Sequence, residues 1–82
     1  MPIVKFFATL RQITRERETE VAGATVAEVL DNLAAAYEGK LERYVNVSTV
    51  LVNNKNIRYL KGEKTRLKPD DVVSIYPPLG GG

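Results

Sequence analysis

The chain has 82 residues, 44% of them hydrophobic and 27% charged, with a net charge of +2, the profile of one small domain rather than of two domains or of a protein with a large active-site cleft. A chain of this size buries about 60–65% of its unfolded surface, so the core needs most of the apolar residues and leaves few to line a deep pocket. Cys and His are both absent, which removes disulfides, thiolate chemistry, the usual zinc sites and the common hydrolytic triads, so that neither a bound metal or cofactor nor free-standing catalysis is expected.

In chain order, Pro2-Ile3-Val4-Lys5-Phe6-Phe7-Ala8 is β-branched and aromatic and Glu18-Thr19-Glu20-Val21-Ala22 alternates polar with apolar. Two strands joined by the polar stretch 9–17 are predicted, as an N-terminal hairpin. Gly23-Ala24 breaks the second strand, and Thr25 stands three residues before Glu28, the spacing of a capping box at a helix start. Val26, Val29, Leu30, Leu33, Ala34 and Tyr37 then form one stripe of a 3.6-residue period, with Gly39 placed to take the left-handed position that ends the helix.

Residues 41–47 read as a connection with Leu41, Tyr44 and Val45 tucked under the helix, and 49–53 as a third strand. Asn53-Asn54-Lys55-Asn56 supplies turn formers that let Ile57-Arg58-Tyr59 return as a short fourth strand. The turn Lys68-Pro69-Asp70-Asp71 feeds a last strand, Val72–Tyr76. The order is ββαβββ: an α+β domain over 1–76, with a mixed sheet of four to five strands packed on one main helix and its other face left to solvent or a partner.

Alternation sorts the faces. Val4, Phe6 and Ala8 are expected inward, and Ile3, Lys5 and Phe7 outward; in the last strand Val73 and Ile75 go inward, and Val72, Ser74 and Tyr76 outward. If the first and last strands are neighbours, Phe7 and Tyr76 form an exposed aromatic patch. From Arg43 to Lys68 there are seven basic residues and one acid, Glu63, so part of the surface is positive. Solvated outward positions are the ordinary reading and an acidic protein partner the second; the basic residues lack the interleaved aromatic platform of single-strand binding, so no nucleic acid is expected. No apolar run approaches the roughly 18 residues of a membrane span, and no signal-peptide core opens the chain. The expected compartment is the cytoplasm, with no membrane partner.

The most specific feature is the run Tyr76-Pro77-Pro78-Leu79-Gly80-Gly81-Gly82. Two prolines forbid further sheet pairing and favour a stiff extended segment, whereas the glycines are the slenderest and most flexible backbone available. The six residues after Tyr76 span on the order of 20 Å at about 3.3 Å each, enough to carry a terminal carboxylate into a narrow slot of another protein. A frayed terminus is the ordinary fate of such an end.

Joined to a ββαβββ body of this length, the tail resembles that of the β-grasp, ubiquitin-like sulfur carriers. Within them the chain is most similar to the small-subunit branch of molybdopterin synthase. The resemblance covers essentially the whole chain: Phe6-Phe7-Ala8 followed by Arg11, Thr25-Val26 opening the helix, Val52-Asn53, and Asp71 to Pro78 running into the glycines. It departs from the family in a third terminal glycine and in Pro69-Asp70-Asp71 where an Asp-Gly-Asp turn is common. It implies that Gly82 carries the reactive carboxyl group, that Gly80 and Gly81 give clearance, and that Pro77, Pro78 and Leu79 direct and anchor the tail. Phe7, Tyr76 and Ile57 would form an apolar docking face, with Arg11 and Lys55 or Arg58 answering acidic groups on partners.

A carboxylate with a pKa of about 3.5 is ionised and a poor electrophile. The resemblance accordingly implies activation by an E1-like adenylating enzyme that uses ATP, sulfur from a donor protein, and delivery as a thiocarboxylate to a pterin precursor in the large synthase subunit, on the way to a molybdenum or tungsten cofactor. The chain itself lacks a strand-loop-helix glycine motif for nucleotides. Alternatives are a sulfur carrier for thiamine or tRNA thiolation, a ubiquitin-like modifier joined to target lysines through Gly82, and a plain binding module with an incidental glycine tail. Thiamine carriers usually have an Asn-Gly turn where this chain has Ala8-Thr9-Leu10-Arg11. Asp70-Asp71, an adjacent carboxylate pair, reads as a turn before a strand rather than as an acid–base or metal site.

Overall fold

Strand alternation places Val4 and Phe6 on one side of β1 (Ile3–Phe6), and both are fully buried. The computed structural model describes residues 1–78. β1 pairs antiparallel with β2 (Glu18–Glu20) and in parallel with β5 (Val72–Tyr76), which pairs antiparallel with β3 (Thr49–Val52); β4 (Lys55–Asn56) closes the far edge. The five-stranded order is β2-β1-β5-β3-β4, a mixed sheet with the parallel pair inside it, as expected for a β-grasp.

The main helix, α2 (Val26–Ala36), crosses one face. Its start follows the predicted spacing: the Glu28 amide donates to Thr25 Oγ1 at 3.2 Å, and Glu28 Oε1 accepts from the amide of Ala24, one residue before the N-cap, at 3.1 Å, a variant of the capping box. Val26, Val29 and Leu33 are buried against Val4, Phe6, Val73 and Ile75 of the sheet, with Leu30 and Tyr37 half-buried beside them. The Tyr37 ring meets Phe6 edge-on, 5.8 Å between centroids. Burial, then the neighbouring Glu16 carboxylate, pushes the Tyr37 hydroxyl above its ordinary range. Glu38 and Gly39 both take positive φ and turn the chain out of the helix, and Leu41 is fully buried ahead of the single-turn α3 (Glu42–Val45).

Three expectations are corrected and one is qualified. The stretch 9–17 is not an open connection but holds α1 (Thr9–Thr14), whose Leu10 is fully buried and whose Thr14 hydroxyl donates to the Leu10 carbonyl at 2.8 Å. Ala8 does not follow Val4 and Phe6 inward; it has φ 51° where the chain leaves β1 for α1, and it is exposed. Ser74 keeps the outer face that alternation gives it, yet is only 5% exposed, with Lys5 and Leu51 as its register neighbours on the flanking strands. The fourth strand is Lys55–Asn56 rather than 57–59, since Asn53 and Asn54 both adopt positive φ and make a two-residue hairpin turn. Ile57–Tyr59 is then a 3₁₀ turn, its Arg58 amide donating to Asn56 Oδ1 at 2.9 Å, and a second such turn follows at Gly62–Lys64.

Asn53 and Asp71 fasten the β3–β4 turn to the entrance of β5. Asn53 Nδ2 donates to Asp71 Oδ1 at 2.9 Å, the Val72 amide donates to Asn53 Oδ1 at 3.0 Å, and the Lys68 amide donates to Asp71 Oδ2 at 2.8 Å. The hydrogen bond from the Lys68 amide, then that from Asn53, holds the Asp71 carboxyl below its ordinary value. A depressed carboxylate pKa stabilises the fold above the ordinary value, and this contribution disappears as pH falls through the lowered one. Asp71→Ala is expected to cost about 1 kcal/mol at neutral pH. Paired urea titrations should show that cost shrinking as the pH falls from the ordinary carboxylate value through the lowered one; a pH-independent difference would contradict the role given to the charge.

Gly23 is required by space. A Cβ there would stand 2.6 Å from Val29 Cγ2 and 2.7 Å from the Val29 amide nitrogen, on a backbone with φ 156°. Gly23→Ala is expected to destabilise by about 2 kcal/mol through overpacking against α2, read as a shift of the urea midpoint. A loss below about 0.5 kcal/mol, the scale of ordinary surface substitutions, would contradict the close contact.

Candidate functional site: the pole where β5 ends

The parallel register of β1 and β5 pairs Phe6 with Ile75, so the next residues, Phe7 and Tyr76, fall side by side with their rings on the face away from α2. They stack at 4.2 Å between centroids with 12° between planes. Tyr76 is 37% exposed and Phe7 half-buried. α1 then sets Arg11 beside them: its Nε donates to the Phe6 carbonyl at 2.8 Å, and its guanidinium carbon lies 5.1 Å from the Phe7 centroid. One nitrogen is thereby used to fix the group while the side chain stays exposed, leaving its other donors for a carboxylate. The result is a rigid apolar platform with a held cation at its edge.

From this platform the chain leaves β5. Pro77 is buried and Pro78 exposed, so the body holds the backbone through Pro77 and turns it out at the following residue. Leu79, Gly80, Gly81 and Gly82 lie outside the described residues.

The remaining expected contacts fall elsewhere. Lys55 and Arg58 are exposed at the β4 edge, and Ile57 packs against the core from the 3₁₀ turn. β3 stands between β4 and β5, and Ile57 and Arg58 line a hollow with Thr49, the register partner of Tyr76 on β3. They lie on the β3–β4 side of Tyr76, whereas Phe7 and Arg11 lie on its β1 side, and Ile57 is half-buried. The strength of the Arg11 position was not legible beforehand, because it depends on α1.

Other chemistry is sparse. Among the described residues no group of three or more carboxylates comes together as a metal site. The cavity between α2 and α3, lined by Leu30, Asp31, Leu41, Glu42 and Glu63 among others, measures about 90 Å³, well under the roughly 300 Å³ at which small-molecule pockets begin. None of the helices described is long and apolar enough to cross a membrane.

Comparison with known proteins agrees with this geometry. The family model described as the ThiS family matches residues 4–82. Small archaeal modifier protein 3 of Haloferax volcanii is 33% identical over 88 residues, covering 96% of each chain. Among solved structures, small archaeal modifier protein 1 from Methanosarcina acetivorans superposes with a TM-score of 0.89 at 32% identity, over 99% of this chain and 95% of that one. The BexX/CysO complex of Amycolatopsis orientalis contains a chain with a TM-score of 0.85 at 29% identity, covering all of both. The complex of subunits 1 and 2 of molybdopterin-converting factor from Helicobacter pylori contains one with a TM-score of 0.69 at 26% identity, over 99% and 97%. With its β-grasp sheet, its single main helix and this match along nearly its whole length, the chain belongs to the ThiS family of ubiquitin-like sulfur carriers and small modifiers.

Proposed function

We propose that this chain is a sulfur carrier working through the carboxylate of Gly82. The observation that carries the reading is the Tyr76–Phe7 stack with Arg11 held beside it, at the point where Pro77 is still buried and Pro78 already exposed. A flat aromatic pair with a fixed guanidinium suits a partner that grips the body while the tail enters its active site. In the proposed cycle an E1-like partner binds ATP; the Gly82 carboxylate attacks the α-phosphate and displaces pyrophosphate, giving an acyl adenylate. The terminal sulfur of a donor protein's persulfide then displaces AMP to give an acyl disulfide, and a second thiol of that donor cleaves the S–S bond, leaving the thiocarboxylate on Gly82 and a disulfide on the donor. Body residues take no part in the bond changes. Gly80 and Gly81 let the backbone pass close to the phosphates, and Pro77, Pro78 and Leu79 set its direction.

The acceptor we assign is a pterin precursor held by the large subunit of a molybdopterin synthase. The run from Asp71 to Pro78, together with Phe6-Phe7-Ala8 and Arg11, supports that branch, as does the likeness to a molybdopterin-converting subunit. A second reading has its own support: the 33% identical relative is a small modifier, and the same adenylate would be consumed by a target lysine instead of by sulfur.

Removing Gly81 and Gly82 separates both from a plain binding module. The truncated chain is expected to lose ATP-dependent adenylate formation with the adenylating partner of the same host, while keeping affinity for it within severalfold. Undiminished adenylate formation would contradict the role of Gly82. Phe7→Ala and Tyr76→Ala are each expected to weaken binding to that partner by about tenfold or more. The same changes should lower stability by only about 1 kcal/mol, the scale of an aromatic pair. Binding unchanged in both variants, measured by calorimetry, would remove the platform from the interface.

A further inference from the structure

After β4 the chain makes two 3₁₀ turns, Ile57–Tyr59 and Gly62–Lys64, which pack on one another. Between them lies an open groove of about 500 Å³ lined by Tyr59, Leu60, Lys61, Thr65 and Arg66. Tyr59 is 87% exposed and Leu60 38%. A ring and an aliphatic side chain left side by side in water, inside a run rich in cations, are the kind of apolar surface that marks an interface. The groove is also fixed in shape. The Leu60 amide donates to the Ile57 carbonyl at 3.0 Å and the Lys61 amide to Thr65 Oγ1 at 3.1 Å. A bridge between Thr25 and Arg66 pins the segment to the start of α2, with the Val26 amide on the Thr65 carbonyl at 3.0 Å and the Leu67 amide on the Ala24 carbonyl at 2.9 Å.

Charge says what fits it. Lys61 and Arg66 line the groove, and Lys64 is exposed between them. The one acid of the segment, Glu63, lines the cavity on the α2 side instead, so nothing in the groove offsets its cations. A strand of nucleic acid would want successive rings to stack on, whereas here a single ring sits beside an aliphatic side chain. Position matters too: Leu67, next to Arg66, lies with Met1 and Pro2 at the pole where β1 and β5 begin, whereas the tail leaves from the other end of β5. A ligand in the groove need not compete with a partner that receives the tail.

We propose that this groove is a second docking surface, separate from the Phe7–Tyr76 platform, which takes an acidic segment bearing an apolar side chain from a partner protein. The cations meet its carboxylates, and Tyr59 and Leu60 hold its apolar residue. The surface would let a carrier or modifier be gripped by one protein while its tail is worked on by another, and its existence does not depend on which chemistry Gly82 performs.

The test is a titration of the ¹⁵N-labelled full chain with a short synthetic peptide of Glu and Asp flanking a Leu-Phe pair. A peptide with Lys in place of the acids and an oligouridylate of matching charge are run alongside. Amide shifts are expected to cluster between 57 and 66, with affinity falling as salt rises. The double variant K61E/R66E and, separately, Tyr59→Ser should each weaken the peptide about tenfold while leaving the rest of the spectrum in place. Four results would overturn the proposal: no binding at low salt, shifts centred on Phe7, Arg11 and Tyr76, equal binding of the basic peptide, or tighter binding of the oligouridylate in the same groove. The last would make the surface a nucleic-acid site.

Discussion

The parallel pairing of β1 with β5 is the contact on which the rest of the molecule depends. It joins the first strand of the chain to the last at the middle of the sheet, and its register sets Val4 beside Val73 and Phe6 beside Ile75, four side chains that are all fully buried and over which α2 packs. Parallel strands cannot be joined by a tight turn, so everything between them, including α2 and the β3–β4 hairpin, is crossover. One step past Phe6 and Ile75 the same register delivers Phe7 to Tyr76. The platform is therefore a continuation of the core pairing, and it cannot be moved without moving the core.

A division of labour follows from composition. With neither Cys nor His, the chain has no thiolate nucleophile and none of the ligands of the usual zinc sites, and its packing holds one strand end firmly. The Asn53–Asp71 brace fixes where β5 begins, and the buried Pro77 fixes where it stops guiding the chain. The chemistry proposed for Gly82 would then need only length and slenderness from the tail, with ATP, sulfur and acceptor coming from the proposed partners. A scaffold that presents its end in this way serves sulfur transfer and conjugation equally well, which is why carriers and modifiers share the family.

Much of this was legible in the residues. Period-2 and period-3.6 patterns located β1, α2 and β5, the Thr25–Glu28 spacing found the helix start, and alternation paired Phe7 with Tyr76 on the outer face. What was missed had short-range causes. α1 is less than two turns long, so Leu10 and Ile13 make only one i, i+3 pair amid polar residues, too little for a period to register. The shift of β4 to Lys55–Asn56 came from both asparagines adopting positive φ, which shortens the turn to two residues. Ser74 keeps its outer face yet is buried, with Lys5 and Leu51 beside it in register, a setting that no strand shows alone. The groove at Tyr59 and Leu60 had only a faint signature, an apolar pair bracketed by Arg58 and Lys61, and its exposure depends on two 3₁₀ turns that no period announces.

The central claim is that the carboxyl group of Gly82 is the reactive group and that it carries sulfur. The most direct measurement is the intact mass of the protein isolated gently from its own host, resolved well enough to detect one oxygen replaced by sulfur, with the change localised by fragmentation. The account predicts a fraction bearing a thiocarboxylate on Gly82. Gly82 found only in isopeptide linkage to lysines of other proteins, with no sulfur at any stage of growth, would contradict it and make the chain a modifier.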